Sequence, residues 1–509
     1  MLRATHPMKE SRAMASTTLE SPARLAQRSS PVLACMSVCT ALVVGFVAAI
    51  NLAVPELAAS SMEPTSSDLL WIVDAYVVIF ACLVIPAGAA GDKLGRKGTL
   101  LTGLAIFAAG AIVSATAPNV AIMLMGRAVT GLGAACVLPN CVGILLHATA
   151  PERRTHALAI WAAASGIGGV VGNVGGGALL TAGSWRTLFV AVAVIAVGCL
   201  AWAARSAPRS PRHERTLDLP GTLLFVAAVV ALLIGIIEGP EQGWGSTVVL
   251  TAFAAGVVLG VSWAVVERHV AHPMLDPRLF RSPGLSSACL GMTVVFFGNF
   301  GLFYVNASLL QYGRGFSVLQ AGLGIIPLTV PLLVGTRYVP ALIRRIGAPA
   351  TLAAAFLLGS AGLVALSYAS AMTYPVYAAA LVVIGLGIML AAPCLTAQIA
   401  SALPVERAGI AGGLQSATRE LGSALGVAVV GTILTAGFTH NLPAALKERS
   451  PVPRTVNDAL TLAPSHHQAV TDAFTNGADT ALRVAALVVL IAGGLVVIGT
   501  RRARRKPLR

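Results

Sequence analysis

Four ionisable side chains stand inside long apolar stretches of this sequence. Asp74 is the only charged residue within 69–91, Arg127 is the only one within 120–143, and Arg419 and Glu420 are neighbours within 409–437. A charge at the centre of a bilayer costs roughly 3 kcal/mol or more, so it is rarely kept without a role. Such a carboxylate can bind and release a proton or pair with a cation, and an arginine can tune it by competing for the same oxygens.

Asp74 and Arg127 are predicted to lie at similar depth. At about 1.5 Å per residue, Asp74 lies about 8 Å and Arg127 about 10 Å from the ends of their helices on the same face of the membrane. A fixed structural ion pair is the alternative to a transport role. Adjacent residues on a helix point about 100° apart, so Arg419 and Glu420 cannot both face a cavity equally, and an ion pair with a neighbouring helix is the alternative there.

A compact charged turn follows the helix that carries Asp74. Glycines at 88, 91 and 95 permit close helix approach and a tight turn. Asp92 can pair with Arg96 or with a neighbouring helix end, and Lys97 adds a second base. The sequence therefore predicts a loop gate, a latch that would hold one conformational state; the alternative is an ordinary basic loop.

A further stretch, 166–177, is rich in glycine. A dinucleotide-binding loop is a poor interpretation, because no strand precedes the stretch and no acid follows at the required distance. In a membrane helix these small residues form a face for close packing, and a helix-five packing and gating role is predicted for them. The residues concerned are Gly168, Gly172, Asn173, Gly176 and Gly177.

Composition requires a membrane around these helices. Of 509 residues, 56% are hydrophobic and 11% are charged, and the mean hydropathy is +0.81. A soluble chain could not cover so much apolar surface with so few charges. Fourteen runs have spanning length, at about 33–55, 69–91, 99–117, 120–143, 157–180, 186–204, 219–237, 247–266, 285–306, 318–340, 350–369, 374–397, 409–437 and 479–500. The fold class is an all-α polytopic membrane protein.

Basic residues predict the orientation of the chain. The net charge of +15 arises from Lys and Arg in short loops, most of them on one side of the membrane, which places both termini in the cytoplasm and gives no reason to expect a nucleic-acid partner. The predicted organisation is a cytoplasmic tail 1–31, a six-helix bundle 32–205, two linking helices 206–283, a second six-helix bundle 284–500 with an external loop at about 438–478, and a basic cytoplasmic tail 501–509.

An internal repeat relates the two bundles. Every pair is offset by 254 residues: Gly131, Gly133, Pro139, Glu152 and Arg153 recur as Gly385, Gly387, Pro393, Glu406 and Arg407, and Gly168, Gly172 and Gly177 recur as Gly422, Gly426 and Gly431. Parallel repeats of this kind create a pathway between two halves that rock against each other in alternating access.

These features together resemble the major facilitator superfamily, and within it the fourteen-helix drug:proton antiporters that export quaternary ammonium and related lipophilic cations. Residues 88–97 resemble the signature loop between helices two and three. Residues 71–76 are similar to the helix-two entry of that group, and Arg127 with Gly131, Gly133 and Pro139 resembles its helix-four motif. Residues 166–177 resemble the antiporter motif of helix five, with Asn173 in place of its proline. The resemblance covers about 33–500.

The chain departs from that group in its intramembrane acids. The pattern Asn51-Leu-Ala-Val-Pro55 is kept, yet Phe46 stands nine residues before Pro55, where relatives carry an acid, and Leu332 replaces another. The resemblance thus implies that monovalent or neutral compounds are better substrates than divalent cations. Asp74 becomes the chief candidate for the proton site, with Arg127, Glu420 and Arg419 as further coupling residues.

Polar side chains at 51, 76, 299 and 306 are predicted to line the path or to join helices: Asn51, Tyr76, Asn299 and Asn306. No P-loop motif and no catalytic or metal-ligand cluster is present in the sequence, so no enzyme activity, metal or cofactor is expected. The predicted function is proton-coupled export of lipophilic, cationic compounds by a monomer in the lipid of the cell membrane. The alternatives are export of an endogenous metabolite or antibiotic, facilitated transport without protons, and a non-transporting sensor or scaffold.

Overall fold

The computed structural model describes residues 22–150, 153–209, 218–270, 273, 275–402, 408–449 and 452–505. The predicted tail residues 1–21 and 506–509 and the repeat residues Glu152, Glu406 and Arg407 lie outside this range. The described residues form helices and turns, and no strand occurs among them. The all-helical class predicted from composition is confirmed.

The α-helices are numbered in chain order. They are α1 (Pro22–Ala58), α2 (Ser66–Leu94), α3 (Arg96–Ala115), α4 (Val120–Ala148), α5 (Arg154–Ala182), α6 (Trp185–Ser206), α7 (Leu219–Gln242), α8 (Thr247–His269), α9 (Pro283–Ser308), α10 (Val318–Leu323), α11 (Ile326–Gly335), α12 (Val339–Ile346), α13 (Ala348–Ala369), α14 (Tyr374–Ser401), α15 (Ala408–Asn441), α16 (Ala444–Lys447), α17 (Val456–Leu462) and α18 (His467–Arg505).

Thirteen stretches of the described chain are helical, long and apolar enough to cross a membrane. One of these, Val318–Ile346, combines α10, α11 and α12, and the apolar part of α5 that the described residues include is the shorter stretch Gly166–Ala182. The count of fourteen crossings therefore stays a prediction.

The halves of the molecule repeat the same helix order. Helices α1 to α6 form the N-terminal half, and α9 to α15 with α18 form the C-terminal half. The helix starts follow the offset seen in the sequence. Helix α4 begins 254 residues before α14, and α5 begins 254 residues before α15. Helix α5 packs on α1 and α15 packs on α9, which makes the two bundles structural counterparts.

Among the described residues, the linking helices contact both halves mainly through α7. The Ser67 hydroxyl of α2 donates to the Ile237 carbonyl at 3.2 Å, and the Thr432 hydroxyl of α15 donates to the Ile236 carbonyl at 3.1 Å. Helix α8 packs mainly on α7. Only 17% of its most apolar stretch is buried in the protein, as expected for a helix that faces lipid. The α7 backbone thus bridges the two repeats.

The predicted single helix at about 318–340 is wrong in detail. The chain there forms three short α-helices, with Gly324 between the first two and a 3₁₀ turn at Thr336–Tyr338 before the third. Proline lacks a backbone N–H and clashes with the preceding turn, so Pro327, Pro331 and Pro340 prevent one regular helix. The apolar pattern alone did not reveal these breaks.

The external loop predicted at about 438–478 is also shorter than expected. Helix α15 continues to Asn441 and α18 begins at His467, so the connection covers 442–466 and contains α16 and α17. A Cβ on Gly437 would approach the Gly477 Cα to 2.8 Å, which shows that the two long helices pack closely beyond the apolar core. We call the end of the molecule with this connection and residues 59–65 the cap end, and the end with the turn at Gly95 the loop end.

Candidate functional site

Asp74 lies at the junction of the two halves, in a position set by the start of α2. The Thr65 hydroxyl accepts from the Asp68 amide at 3.1 Å, and the Asp68 carboxylate accepts from the Thr65 amide at 3.0 Å, forming a capping box. Asp74 is eight residues beyond Ser66, or about 12 Å along the helix at about 1.5 Å per residue. It is fully buried.

The Asp74 carboxylate has no hydrogen-bond partner among the described residues on either oxygen. It interacts electrostatically with Arg127 of the same half and with Tyr304, which α9 contributes from the other half. A buried carboxylate without hydrogen bonds is more stable when it is neutral. The geometry therefore suits a group that gains and loses a proton rather than a fixed ion pair.

Arg127 is held beside Asp74 by backbone and aromatic groups. Its Nε donates to the Ile72 carbonyl at 2.7 Å and its Nη2 donates to the Val73 carbonyl at 3.2 Å. The guanidinium lies over the rings of Phe46 at 4.9 Å and Tyr76 at 4.8 Å. These contacts, rather than a salt bridge with Asp74, hold the arginine in place.

Phe46 belongs to an aromatic cluster beside Arg127. Its ring packs edge-on against Tyr76, Phe107 and Phe189 with centroids 5.5–5.8 Å apart. The Phe46 and Tyr76 rings of this cluster support the Arg127 cation. Asp74 is the one acid among the described residues that interacts with Arg127.

Glu420 and Arg419 pair with each other rather than with a neighbouring helix. Arg419 donates to the Glu420 carboxylate from Nε at 2.7 Å and from Nη2 at 2.6 Å, and its guanidinium lies 5.7 Å from the Phe296 ring centre. Both charges interact electrostatically with Tyr76 of the N-terminal half. Tyr76 thus stands between the Asp74–Arg127 group and the Arg419–Glu420 pair.

The charged turn closes the loop end of α2 and α3. Gly95 takes φ of 105°, a conformation that favours glycine, and Asp92 pairs with Arg96 at 2.7 Å. Lys97 donates to the Ala204 carbonyl at the end of α6 at 2.9 Å. The glycines of this segment also allow α2 to pack closely on α4. A Cβ on Gly88 would lie 3.4 Å from Pro139 of α4, and Gly91 contacts Asn140 of α4.

Helix α5 presents two different faces. Gly168, Gly172 and Gly176, spaced by one turn, pack on α1; a Cβ on Gly168 would approach the Ala41 Cα to 2.7 Å, and one on Gly176 would approach the Ala49 Cβ to 2.8 Å. The other face meets the C-terminal half, where a Cβ on Gly177 would approach the Leu319 Cα to 3.0 Å. The stretch therefore joins packing within one half to contact between halves.

Asn173 does not reach another helix through its amide. The side chain donates to the Gly169 carbonyl of its own helix at 3.0 Å, while the Asn173 backbone packs closely on Gly322 of α10. The residue that replaces the motif's proline thus keeps α5 hydrogen-bonded at the place where it crosses α10.

The four residues predicted to line the path make different contacts in the structure. The Asn51 amide donates to the Val47 carbonyl of its own helix at 3.1 Å, and the Tyr76 hydroxyl donates to the Val43 carbonyl at 3.3 Å. Asn299 borders an apolar pocket within the C-terminal half. Asn306 accepts a 2.7 Å hydrogen bond from the Tyr377 hydroxyl.

A cavity at the cap end was not identified from the sequence. Its walls are formed by α1, α2, α9, α15, α18 and the cap connection. Its aromatic lining includes Tyr304, the residue that interacts with Asp74, together with Tyr312, Phe438 and Phe474. Aromatic residues at these spacings look like ordinary core residues, so only their assembly from both halves shows the cavity.

Two repeated helix bundles with buried charges at their junction are typical of a membrane transporter rather than an enzyme. Residues 36–427 match the model of the Major Facilitator Superfamily, and the chain belongs to that family. The resemblance stated from the sequence motifs is confirmed, as is the assignment to a multi-span membrane transporter.

Several relatives confer resistance to toxic compounds or export them. The chain is 32% identical to the methylenomycin A resistance protein of Streptomyces coelicolor, over 79% of this chain and 86% of the relative. It is 32% identical to the multidrug resistance protein Stp of Mycobacterium tuberculosis, over 79% and 75%. It is 34% identical to the cephamycin export protein CmcT of Amycolatopsis lactamdurans, over 83% and 89%.

The fold is also similar to solved structures. An inward-facing, unoccupied bacterial homologue of the human lysosomal transporter Spinster superposes with a TM-score of 0.68, at 18% identity, over 95% of this chain and 99% of that one. At this identity the likeness concerns the fold. The family match and the sequence relatives point to a drug-efflux transporter.

Proposed function

We propose that the protein exports lipophilic, cationic compounds in exchange for protons by alternating access. The observation that carries this proposal is the state of Asp74, which is fully buried between the halves with no hydrogen-bond partner among the described residues. A neutral Asp74 is stable there, whereas an ionised Asp74 needs a positive charge, which either Arg127 or a cationic substrate supplies. Proton and substrate thus compete for one carboxylate.

The proposed topology has fourteen crossings with both termini in the cytoplasm. The loop end, with the Asp92–Arg96 pair, then faces the cytoplasm, and the cap end faces outward. Contacts between halves at the cap end support an arrangement closed to the outside: the Gln311 amide donates to the Leu52 carbonyl at 3.3 Å, and Gly177 packs on Leu319. The chain would work as a monomer within the lipid of the cell membrane, since each chain contains both halves.

Energy would come from the proton gradient. The sequence has no P-loop motif, so this chain alone has no site of that kind for ATP. The pair formed by Arg419 and Glu420 would respond to the charge state of the Asp74–Arg127 group, because Tyr76 links the two groups electrostatically. In this scheme the substrate occupies the space between the halves when they open.

Export of an antibiotic is a second candidate for the substrate. It is favoured by the relatives, whose names specify methylenomycin A resistance and cephamycin export. The fold and the energy source would be the same as in the leading proposal. The two candidates therefore differ only in the compound that fits between the halves.

Transport into inverted membrane vesicles tests the proposal. Uptake of a fluorescent lipophilic cation that follows an imposed pH gradient supports proton exchange, and uptake that ignores the gradient indicates facilitated transport instead. A parallel growth screen, with and without the protein, would compare tolerance to lipophilic cations and to antibiotics. Protection against antibiotics alone would select the second candidate.

A further inference from the structure

A buried acid at the cap end has no place in the function described so far. Asp479 lies on α18 where this helix meets α9, α13 and α14, and only 9% of the residue is exposed. One carboxylate oxygen, Oδ2, lies 3.0 Å from the Ser370 hydroxyl. The other oxygen has no hydrogen-bond partner among the described residues.

The cations around Asp479 are engaged elsewhere. Arg483 stands one turn further along α18, where an ion pair with Asp479 would be expected. Instead its Nε donates to the Ser367 hydroxyl at 3.1 Å, and its guanidinium lies over the Tyr368 ring at 4.7 Å. These contacts engage the arginine with α13, and its charge acts on Asp479 only through an electrostatic interaction without an ion pair among the described residues.

The groups that face Asp479 from the other helices are also occupied. From α14, the Tyr377 hydroxyl interacts electrostatically with Asp479 and donates to Asn306 at 2.7 Å. Arg314, which follows α9, donates to the Ala369 carbonyl at 2.7 Å and lies over the Tyr377 ring at 4.8 Å. Within the described residues, Asp479 thus takes part in no ion pair.

The Ser370 hydroxyl faces two acceptors. It lies 3.0 Å from Asp479 Oδ2 and 3.1 Å from the Ser367 carbonyl, and a hydroxyl can donate only one hydrogen. If Asp479 is ionised, Ser370 can satisfy only one of the two acceptors at a time. If Asp479 is protonated, it can donate to Ser370 while Ser370 donates to the Ser367 carbonyl, so the neutral acid satisfies one more contact.

We propose that Asp479 is a second proton-binding carboxylate of this transporter, located in the C-terminal half, separate from Asp74 and protonated in the arrangement seen here. Its placement on the outer side and its use in the transport cycle rest on the proposed function. The proton itself does not, because the burial of Asp479, its unpartnered Oδ1 and the two acceptors around the Ser370 hydroxyl favour it whether or not the protein exchanges protons for substrate.

The site is connected to the closed cap end. Between α9 and Arg314 the chain forms a π-helical turn, Leu309–Gly313, which carries the Gln311 amide that bonds to Leu52 of the other half at 3.3 Å. The same turn touches α18, since a Cβ on Gly313 would lie 3.3 Å from the Thr475 hydroxyl. Loss of the Asp479 proton would add a buried negative charge beside the elements that hold this contact, and would favour its opening.

Infrared difference spectroscopy on the full-length protein in membranes tests the proton directly. Asp479→Asn keeps the geometry, because its amide can donate to Ser370 as the protonated acid does. Asp472→Asn is the matched control, an exposed acid two turns earlier on the same helix. We expect the infrared spectrum to show the carbonyl stretch of a protonated carboxyl. This band should be lost in Asp479→Asn and retained in Asp472→Asn. No difference between the two variants would overturn the proposal.

Transport measurements then give the role in the cycle. We expect the export rate to vary with outer pH in the wild type, by up to about tenfold per pH unit for each proton, and to vary less in Asp479→Asn, where only the dependence due to Asp74 remains. An Asp479→Asn protein that keeps the wild-type dependence on outer pH would overturn the role at the cap end. If wild-type export ignores the gradient altogether, the proposed antiport fails, while the infrared band still decides whether Asp479 binds a proton.

Discussion

Asp74→Asn is predicted to disconnect transport from the pH gradient without breaking the site. Neither oxygen of Asp74 accepts a hydrogen bond from the described residues, so the amide replaces the carboxylate at nearly the same volume and no bond is lost. The amide cannot release a proton. One proton exchanged at this carboxylate carries about 1.4 kcal/mol per pH unit, or an about tenfold change in the substrate ratio across the membrane. The variant is expected to show a ratio that does not change with the gradient.

Proteoliposomes with imposed pH gradients measure this ratio for a fluorescent lipophilic cation. Exchange of labelled for unlabelled substrate without a gradient should persist in Asp74→Asn, which separates lost coupling from a misfolded protein. Asp472→Asn removes the same charge from an exposed position and should keep the wild-type response. An Asp74→Asn protein whose substrate ratio still rises about tenfold per pH unit would refute the assignment of the proton to this residue.

Two further substitutions test the packing and the loop. Gly172→Ala should lower the free energy of unfolding by about 1–3 kcal/mol, because its Cβ would enter the backbone of α1. Gly175→Ala is the control, because a Cβ there has nothing within 4 Å and should leave the free energy of unfolding unchanged. Equal melting temperatures of the two variants in detergent would contradict this prediction. Asp92→Asn removes the 2.7 Å pair with Arg96 and should slow turnover by up to about fivefold at unchanged substrate affinity, since such a pair is worth about 1 kcal/mol or less. Exposed Lys93→Gln is its control, and a weakened affinity in Asp92→Asn would argue against a conformational latch.

The helical membrane architecture is predictable from the sequence because the cost of unpaired backbone groups in lipid leaves few alternatives. The ends and breaks of helices are less predictable. Helix α18 continues past the polar residues before Asp479 because Gly477 packs on Gly437, a contact between distant segments. The breaks between 318 and 346 depend on prolines that the apolar pattern conceals.

In the candidate site, the charged residues could be predicted from the sequence, whereas their contacts could not. Asp74 and Arg127 could be identified from the cost of their charges alone, and the structure brings them close together. Phe46 could be recognised from the sequence only as an absent acid, whereas in the structure it stacks on Arg127 at 4.9 Å. Asp479 was missed because it stands at the predicted edge of the last span, where an acid is unremarkable, and only its contact with Ser370 shows that it is buried and hydrogen-bonded.

Competition between proton and substrate for Asp74 is the central claim, and substrate-induced proton release tests it most directly. Purified protein in weakly buffered detergent would be mixed with a lipophilic cation while a pH indicator records free protons. The account predicts release of about one proton per bound substrate in the wild type and in Asp472→Asn, and no release from this site in Asp74→Asn. Binding without release in the wild type, or equal release from Asp74→Asn, would contradict it.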